Sequence, residues 1–203
     1  MVISTKELLE LYKDYKVPKM KIKSEIEKGK YFYINRGLYE TDKNTPGYLI
    51  APLLKSPSYL SFEYVLSYYG LIPESVYVYT SATTGQKHTF EYENIFGRFS
   101  YQDVPIEVFP YAIEYIVEGD YSYLLAKKEK ALCDLLSIKK PVNSKKQLYS
   151  LLFDSLRIDY DEFLKIDFDL AIKLCDLYKR TNLKYFKSLL EDFKNGKYHH
   201  RKN

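Results

Sequence analysis

The sequence predicts an α+β protein: a short, winged-helix-like N-terminal domain, then a larger domain with a small mixed or antiparallel sheet and C-terminal helices. Three observations lead to this expectation. A helical pattern over residues 18–28 runs into a two-strand pattern over residues 31–41. Residues 76–125 contain short apolar and aromatic runs separated by turn-forming residues, which is typical of strands. From residue 127 onward, apolar residues recur with helical periodicity.

Clear start and stop signals delimit the N-terminal helix. Pro18 suits the first helical turn, where its missing N–H would be unpaired in any case, and Gly29 suits the left-handed stop after the last turn. Ile22 and Ile26 share one face, which should pack against the rest of the domain. The residues on roughly the opposite side, expected to form a basic face, are Lys21, Ser24 and Lys28.

A hairpin is expected directly after this helix. Residues 31–34 have the aromatic and β-branched composition of a strand, and residues 38–41 can return as its partner. The residues between them, Asn35, Arg36 and Gly37, have turn chemistry. Arg36 should therefore lie at the tip of the wing.

Charge is distributed unevenly along the chain. The net charge is +4, but residues 13–36 alone contain eight basic and three acidic residues. Such a segment favours phosphate, and an affinity gained by neutralising phosphates falls steeply with salt. Exposed lysines are equally ordinary on a solvated helix face, so charge alone leaves both interpretations open.

A polar, turn-forming cluster at residues 42–47 predicts a domain boundary. We expect residues 1–43 to form the winged-helix-like domain and residues 44–203 to form the second domain. Within the second domain, the sheet part should cover residues 44–136 and the helical part residues 137–203.

Several elements of the second domain can be predicted individually. Ser61 is expected to cap a helix that ends at Gly70. The expected strands cover residues 76–82, 87–92, 98–102, 107–109, 115–117 and 121–125. The later helices should start near Asn143, Asp159, Asp167 and Thr181.

Four spaced motifs occur along the chain. As an ordered set, they identify a family far more specifically than any one motif does. They are RGLYETD from residue 36, SYLSFEYVLSYYGLIPESVYVYTSATTG from residue 58, GRFSY from residue 97 and LAKKEKALCDLL from residue 125. With these motifs the chain resembles the AbiEi family of antitoxins, the partners of AbiEii nucleotidyltransferase toxins in abortive-infection systems. The resemblance covers most of the chain and is densest over residues 36–136.

This resemblance implies a function in binding. In the family, an N-terminal winged helix binds inverted repeats in its own promoter and represses the toxin–antitoxin operon, while the larger domain provides antitoxicity. The antitoxin is of type IV, which counteracts the toxin without a stable antitoxin–toxin complex. For this chain the resemblance implies promoter DNA and an AbiEii-like toxin as partners, with no catalytic residue and no cofactor.

The chain departs from the fuller members of the family at its N-terminus. Their winged helix has three helices before the wing, whereas here only a helical pattern over residues 5–12 precedes the helix at Pro18. Without the first helix, the apolar side of the other two is exposed unless the sheet domain or a second protomer covers it. The DNA-contacting positions that carry over are Lys19, Lys21, Ser24 and Lys28 on the helix, and Lys30 and Arg36 on the wing.

Two alternatives remain open for the function. The chain could be a stand-alone winged-helix regulator, and either kind of regulator could bind a palindrome as a dimer or as cooperative copies. Antitoxicity could also act through RNA or through direct toxin binding by the basic C-terminal helices. The basic residues of those helices are Lys139, Lys140, Lys145, Lys146, Lys173, Lys179, Arg180, Lys184 and Lys187.

Enzymatic chemistry has little support in the sequence. The Asp-x-Asp runs that begin at Asp159 and Asp167 could hold Mg²⁺ on a strand, but both precede helical patterns and are better explained as helix caps. His88 stands alone, and the remaining histidines, His199 and His200, lie in a basic tail. We therefore expect no enzyme activity.

The lengths of the apolar runs and the positions of the two cysteines predict the compartment of the protein and the state of its thiols. No apolar run approaches the roughly 20 residues of a membrane span, and the first residues lack the layout of a signal peptide, so a cytoplasmic protein without a membrane partner is expected. Cys133 and Cys175 have no cysteine or histidine near them in sequence. They are expected to be buried thiols and neither a disulfide nor a metal site.

Overall fold

The structure is a computed structural model and describes residues 1–86 and 88–197. It has the expected α+β class. The strands of this part of the chain are β1 (Val2–Ser4), β2 (Phe32–Asn35), β3 (Leu38–Glu40), β4 (Ser58–Leu60), β5 (Val78–Thr83), β6 (Phe90–Asn94), β7 (Gly97–Asp103), β8 (Ile113–Glu118) and β9 (Tyr121–Ala126). Its helices are α1 (Thr5–Leu11), α2 (Pro18–Glu27), α3 (Gly47–Leu54), α4 (Phe62–Tyr68), α5 (Lys128–Ile138), α6 (Lys145–Ser150), α7 (Tyr160–Phe163), α8 (Phe168–Tyr178) and α9 (Thr181–Lys194). A π-helical turn at Leu151–Ser155 continues α6.

The first 41 residues, here called the N-terminal unit, form a three-stranded antiparallel sheet in the order β1-β3-β2 with α1 and α2 beside it. A small core of Leu8, Tyr12, Ile22 and Tyr31 joins the two helices to the base of the β2–β3 hairpin. Two helices and a strand thus precede the hairpin. The identification of this unit as a winged helix stays a prediction.

Local signals in the N-terminal unit act as the sequence predicts. Pro18 is the first residue of α2, and Gly29 follows the helix with a left-handed φ of 74°. Arg36 and Gly37 turn the hairpin with φ values of 48° and 76°. Positive φ at both central residues gives the tight turn that matches the twist of a β-hairpin.

The larger sheet is mixed and has six strands in the order β6-β7-β5-β4-β9-β8. The pairs β5–β7 and β4–β9 are parallel, and the other neighbours are antiparallel. Helices α3, α4 and α5 pack on this sheet, and α5 in turn packs against α8 and α9. Ile34 of β2 belongs to the same large hydrophobic core, so the hairpin also packs against this part of the molecule.

Three elements were not predicted, namely β1, β4 and α3. The two strands have only three residues each, too few for a recognisable alternation. The α3 helix, GYLIAPLL, is apolar on nearly all sides and contains Pro52. It lacks the amphipathic period of a surface helix because it is largely buried.

The strand predicted for residues 107–109 is wrong. This segment lies between Pro105 and Pro110 and forms consecutive turns, in which the Val108 N–H donates to the Pro105 carbonyl at 3.1 Å. Residues 107–109 have the composition of a strand, but the prolines that flank them have no N–H to donate to a neighbouring strand. The strand predicted from residue 87 begins only at Phe90, and Lys87 lies outside the described residues.

The expectation that the Ser61 side chain caps α4 is also wrong. Ser61 occupies the N-cap position, but its hydroxyl donates to Asp134 Oδ2 at 2.7 Å. The N–H of Tyr64 instead donates to Thr80 Oγ1 at 3.0 Å, so a neighbouring strand supplies the cap. By contrast, Asp159 and Asp167 cap α7 and α8 as predicted, accepting from backbone N–H groups at 2.8 and 2.9 Å.

Both cysteines are buried free thiols, as expected. Burial raises the pKa of the Cys133 thiol, and its interaction with Cys175 acts in the same direction. His199 and His200 lie outside the described residues. Among residues 1–86 and 88–197, no helix is both long enough and apolar enough to cross a bilayer.

A buried carboxylate links the N-terminal unit to the larger sheet. Glu40 is fully buried; it accepts a hydrogen bond from the Tyr121 hydroxyl of β9 at 2.6 Å and another from the Met1 amine. The backbone N–H groups of Thr41 and Asp42 donate to it at 2.8 and 3.1 Å. Burial by itself would raise the pKa of Glu40, but these hydrogen bonds together hold the pKa below its ordinary value of 4.5.

Stability should fall as this carboxylate is protonated. Because its pKa is lowered in the folded state, Glu40 contributes stability that is fully present above pH 4.5 and is lost as the pH falls through the lower folded value. We expect the difference in unfolding free energy between wild type and Glu40→Gln to be largest near about pH 6 and to shrink steadily toward about pH 3. Urea unfolding across this range measures it, and a difference independent of pH would contradict the assignment.

Candidate nucleic-acid interface

The outer face of α2 and the turn before it carry exposed lysines, with the exposed apolar side chains of Val17 and Met20 between them. Lys16, Lys19 and Lys23 are exposed, and Met20 between them is 65% exposed. Ile22 points the other way, into the small core, where it is 6% exposed. Lys19 and Lys23, four residues apart, share one face of α2, and Lys16 lies in the turn just before the helix, three residues before Lys19. These three lysines are here called the α2 outer face.

The lysines of the α2 outer face have few competing ion-pair partners among the described residues. Within the described chain, Lys16 and Lys19 take part in no ion pair, and Lys23 lies 3.9 Å from Glu27, with both side chains exposed. Exposed pairs of this kind contribute little and are screened by salt, so Lys23 can exchange Glu27 for a phosphate at small cost. The cations can therefore contact an external anion without first breaking a buried interaction.

Three of the residues predicted to contact DNA converge on one carboxylate instead. Glu25 lies 2.8 Å from Lys21 Nζ, 3.3 Å from Lys28 Nζ and 4.0 Å from Lys30 Nζ. Hydrogen bonds from Lys21 and Lys28 lower the pKa of Glu25, and the hydrogen bond to Glu25 raises the pKa of Lys21. This cluster has a local net charge of +2, and its ammonium groups already have a partner.

Lys30 also completes the small core of the N-terminal unit. Its ammonium donates to the Tyr12 hydroxyl at 3.2 Å and lies 5.5 Å from the centre of the Tyr31 ring. The hydrogen bond with Tyr12 raises the pKa of Lys30. The Tyr12 and Tyr31 hydroxyls lie 3.0 Å apart in the buried centre of this group.

The other predicted residues are spread over the unit. Lys19 lies on the α2 outer face, and Ser24 is partly buried on the same helix. Arg36 is exposed at the hairpin tip, where the neighbouring Gly37 carbonyl accepts the Thr5 N–H at 2.7 Å. The tip therefore lies at the start of α1, at the far end of the hairpin from Lys30. The structure brings Lys21, Lys28 and Lys30 together and leaves Arg36 as a separate cationic point.

Lys16 and Lys23 belong to the candidate surface but were not among the residues predicted to contact DNA. Lys21 and Lys23 lie one residue to either side of the buried Ile22, so their spacing from this residue alone does not separate them. In the structure, Lys21 donates to Glu25 at 2.8 Å and lies 5.1 Å from the centre of the Tyr15 ring, whereas Lys23 is exposed. The local signal, a glutamate four residues after the lysine, is the same for Lys21 and Lys23 and does not distinguish them.

The basic C-terminal helices are partly neutralised. Three of their nine predicted cations are paired, as Lys139 with Glu63, Lys145 with Asp192 and Lys187 with Asp176. The others have no ion pair in the part of the chain that the structure describes; they are Lys140, Lys146, Lys173, Lys179, Arg180 and Lys184. In the same residues, no three histidine, cysteine or acidic side chains are grouped as a metal site needs.

Comparison with known proteins adds no family to this description. No protein-family model matches the chain, and no curated protein matches it significantly.

Proposed function

We propose that this protein binds promoter DNA through the α2 outer face and represses its own operon as an antitoxin of the AbiEi kind. The observation that carries the DNA-binding part is the exposed cluster of Lys16, Lys19 and Lys23, in which the described residues provide a single, exposed ion-pair partner, Glu27. The antitoxin part is supported by the sequence motifs that resemble the AbiEi family. The functional partner would be an AbiEii-like nucleotidyltransferase toxin, opposed in the cytoplasm without a stable complex.

The dimensions of α2 suit this role. Ten residues at about 1.5 Å per residue give a helix about 15 Å long, and the major groove of B-DNA, about 12 Å wide, admits a single helix. In that position, lysines on the outer face can reach phosphates on both sides of the groove. Arg36 supplies a second cationic contact at the hairpin tip.

Replacing Lys16, Lys19 and Lys23 together by alanine should weaken binding to a duplex from the protein's own upstream region by at least about tenfold near 100 mM salt. Each lost phosphate contact should also reduce the slope of log affinity against log salt by about 0.9, giving a total reduction of about 2–3. Fluorescence anisotropy between about 50 and 200 mM salt measures both quantities. All three side chains are exposed, so the fold should be retained.

A matched control removes three unpaired, exposed lysines from the C-terminal helices, as Lys146→Ala, Lys173→Ala and Lys184→Ala. This variant has the same net charge and should bind the duplex like the wild type. If the control loses affinity and the α2 variant does not, the nucleic-acid surface lies on the C-terminal helices. If the wild type does not prefer its own upstream duplex to a scrambled one, the repressor function is wrong.

A further inference from the structure

A tyrosine-lined groove lies on the larger domain, away from the α2 outer face. Its volume is about 260 Å³, and its lining comprises Tyr48, Leu60, Tyr64, Tyr68, Glu118, Tyr123 and Leu125. Tyr64 and Tyr68 lie one helical turn apart on α4, so both face the same side. Tyr123 of β9 pairs with Ile116 of β8, and Glu118 lies two residues after Ile116 on the same strand. Because side chains two residues apart on a strand point to the same face, Tyr123 and Glu118 share one face of the sheet.

The polar side-chain atoms of the lining residues are all oxygens. Tyr48 donates its hydroxyl to Glu118 Oε1 at 2.8 Å, and its ring meets that of Tyr123 at a centroid distance of 5.4 Å. The hydroxyls of Tyr64, Tyr68 and Tyr123 make no hydrogen bond to any residue that the structure describes. Burial, with the hydrogen bond to Glu118, raises the pKa of Tyr48 to about 12, so this phenol is neutral at physiological pH.

The charge of the groove is uncompensated. Glu118 is the charged member of the lining, which contains no lysine or arginine. The β8–β9 hairpin that carries it also contains Glu114 and Asp120, and Lys127 at its end pairs with Glu114 at 3.7 Å. A bound group therefore meets aromatic rings, phenol oxygens and a carboxylate that lacks a cationic partner in the described chain.

We infer that this groove binds an alkylammonium group. The faces of tyrosine rings attract cations, and a carboxylate at one end gives the ammonium a charge-assisted hydrogen bond. Butylammonium, the end of a lysine side chain, has five heavy atoms. At about 30 Å³ each, the share of a water molecule in the liquid, they need about 150 Å³, which the groove can hold.

The probes are N-acetyl-lysine N-methylamide and its neutral counterpart, N-acetyl-norleucine N-methylamide, which lacks the ammonium. The test follows ring resonances in protein with ¹³C-labelled tyrosine by NMR. The lysine probe should give saturable shifts confined to the groove tyrosines, and the neutral probe should give at least about threefold weaker binding. Butylammonium identifies the source: if it binds as well as the lysine probe, a small amine suffices, and if it binds less well, the groove prefers a lysine side chain of a protein partner.

Two variants locate the binding. Glu118→Gln keeps an acceptor for Tyr48 but removes the charge, and it should weaken lysine-probe binding about fivefold. Tyr68→Ala removes a ring that is 63% exposed and should weaken it about threefold. The matched controls, Glu91→Gln and Tyr77→Ala, alter exposed residues outside the groove and should change nothing. The inference would be overturned if the lysine probe and the neutral probe bound equally well, or if the Glu118→Gln variant bound the lysine probe like the wild type. Neither result depends on DNA binding.

Discussion

Replacing Asp134 by alanine should lower the free energy of unfolding by about 3–5 kcal/mol, because it leaves the Lys130 ammonium buried without its counter-charge. Asp134 and Lys130, one turn apart on α5, are both fully buried and lie 3.3 Å apart. The remaining donors of Lys130 are directed to the Val108 carbonyl at 2.8 Å and to the Tyr178 hydroxyl at 2.7 Å. Burial lowers the pKa of Lys130, and the attraction of Asp134 opposes that shift.

The carboxylate of Asp134 also organises three distant hydroxyls. Its Oδ2 accepts from Tyr59 at 3.0 Å and from Ser61 at 2.7 Å, and its Oδ1 accepts from Tyr178 at 2.6 Å. One side chain thus joins β4, the start of α4 and α8 to α5. Its loss would leave several buried hydroxyls unpaired in addition to the ammonium.

Urea unfolding measures this prediction against a surface ion pair. Asp176→Ala removes the exposed partner of Lys187 and should cost less than about 1 kcal/mol. A double variant, Asp134→Leu with Lys130→Met, removes both charges and should be more stable than Asp134→Ala. A loss below about 1 kcal/mol for Asp134→Ala would show that the ammonium finds water or another acceptor.

Phe163→Ala should destabilise the protein by about 3–5 kcal/mol through the cavity it creates. Phe163 of α7 is fully buried, and its ring centre lies 5.2 Å from both Phe153 and Phe193, 5.7 Å from Phe168 and 6.3 Å from Phe186. These rings belong to α8, α9 and the π-helical turn. A short helix of four residues therefore fills the centre of the C-terminal part.

Urea unfolding of two further variants distinguishes the loss of core packing from the mere loss of an aromatic ring. Phe163→Leu keeps an apolar side chain of similar length and should cost about 1–2 kcal/mol. Tyr77→Ala removes a ring that is 85% exposed and should change stability by no more than about 0.5 kcal/mol. Similar losses for Phe163→Ala and Tyr77→Ala would contradict the assignment of Phe163 to the core.

Local signals predicted most elements that begin or end at a residue with a special backbone preference. Pro18 and Gly29 bound α2, Arg36 and Gly37 turn the hairpin, and Asp167 caps α8, each because the relevant interaction spans only a few residues. Three elements, β1, β4 and α3, were missed. The buried α3 helix has no amphipathic period, and the short strands β1 and β4 pair with strands that are distant in sequence.

The sequence by itself determined the α+β class, the basic character of the N-terminal unit and the position of its hairpin. Only the tertiary structure decided which lysines face outward, since Lys21 and Lys23 both adjoin Ile22 and both have a glutamate four residues later, yet Lys21 is partly buried and Lys23 is exposed. Likewise, Ser61 was expected to cap its own helix but donates to Asp134, 73 residues away. Periodicity and capping act over a few residues, whereas the partner of a buried polar group depends on which segments fold together.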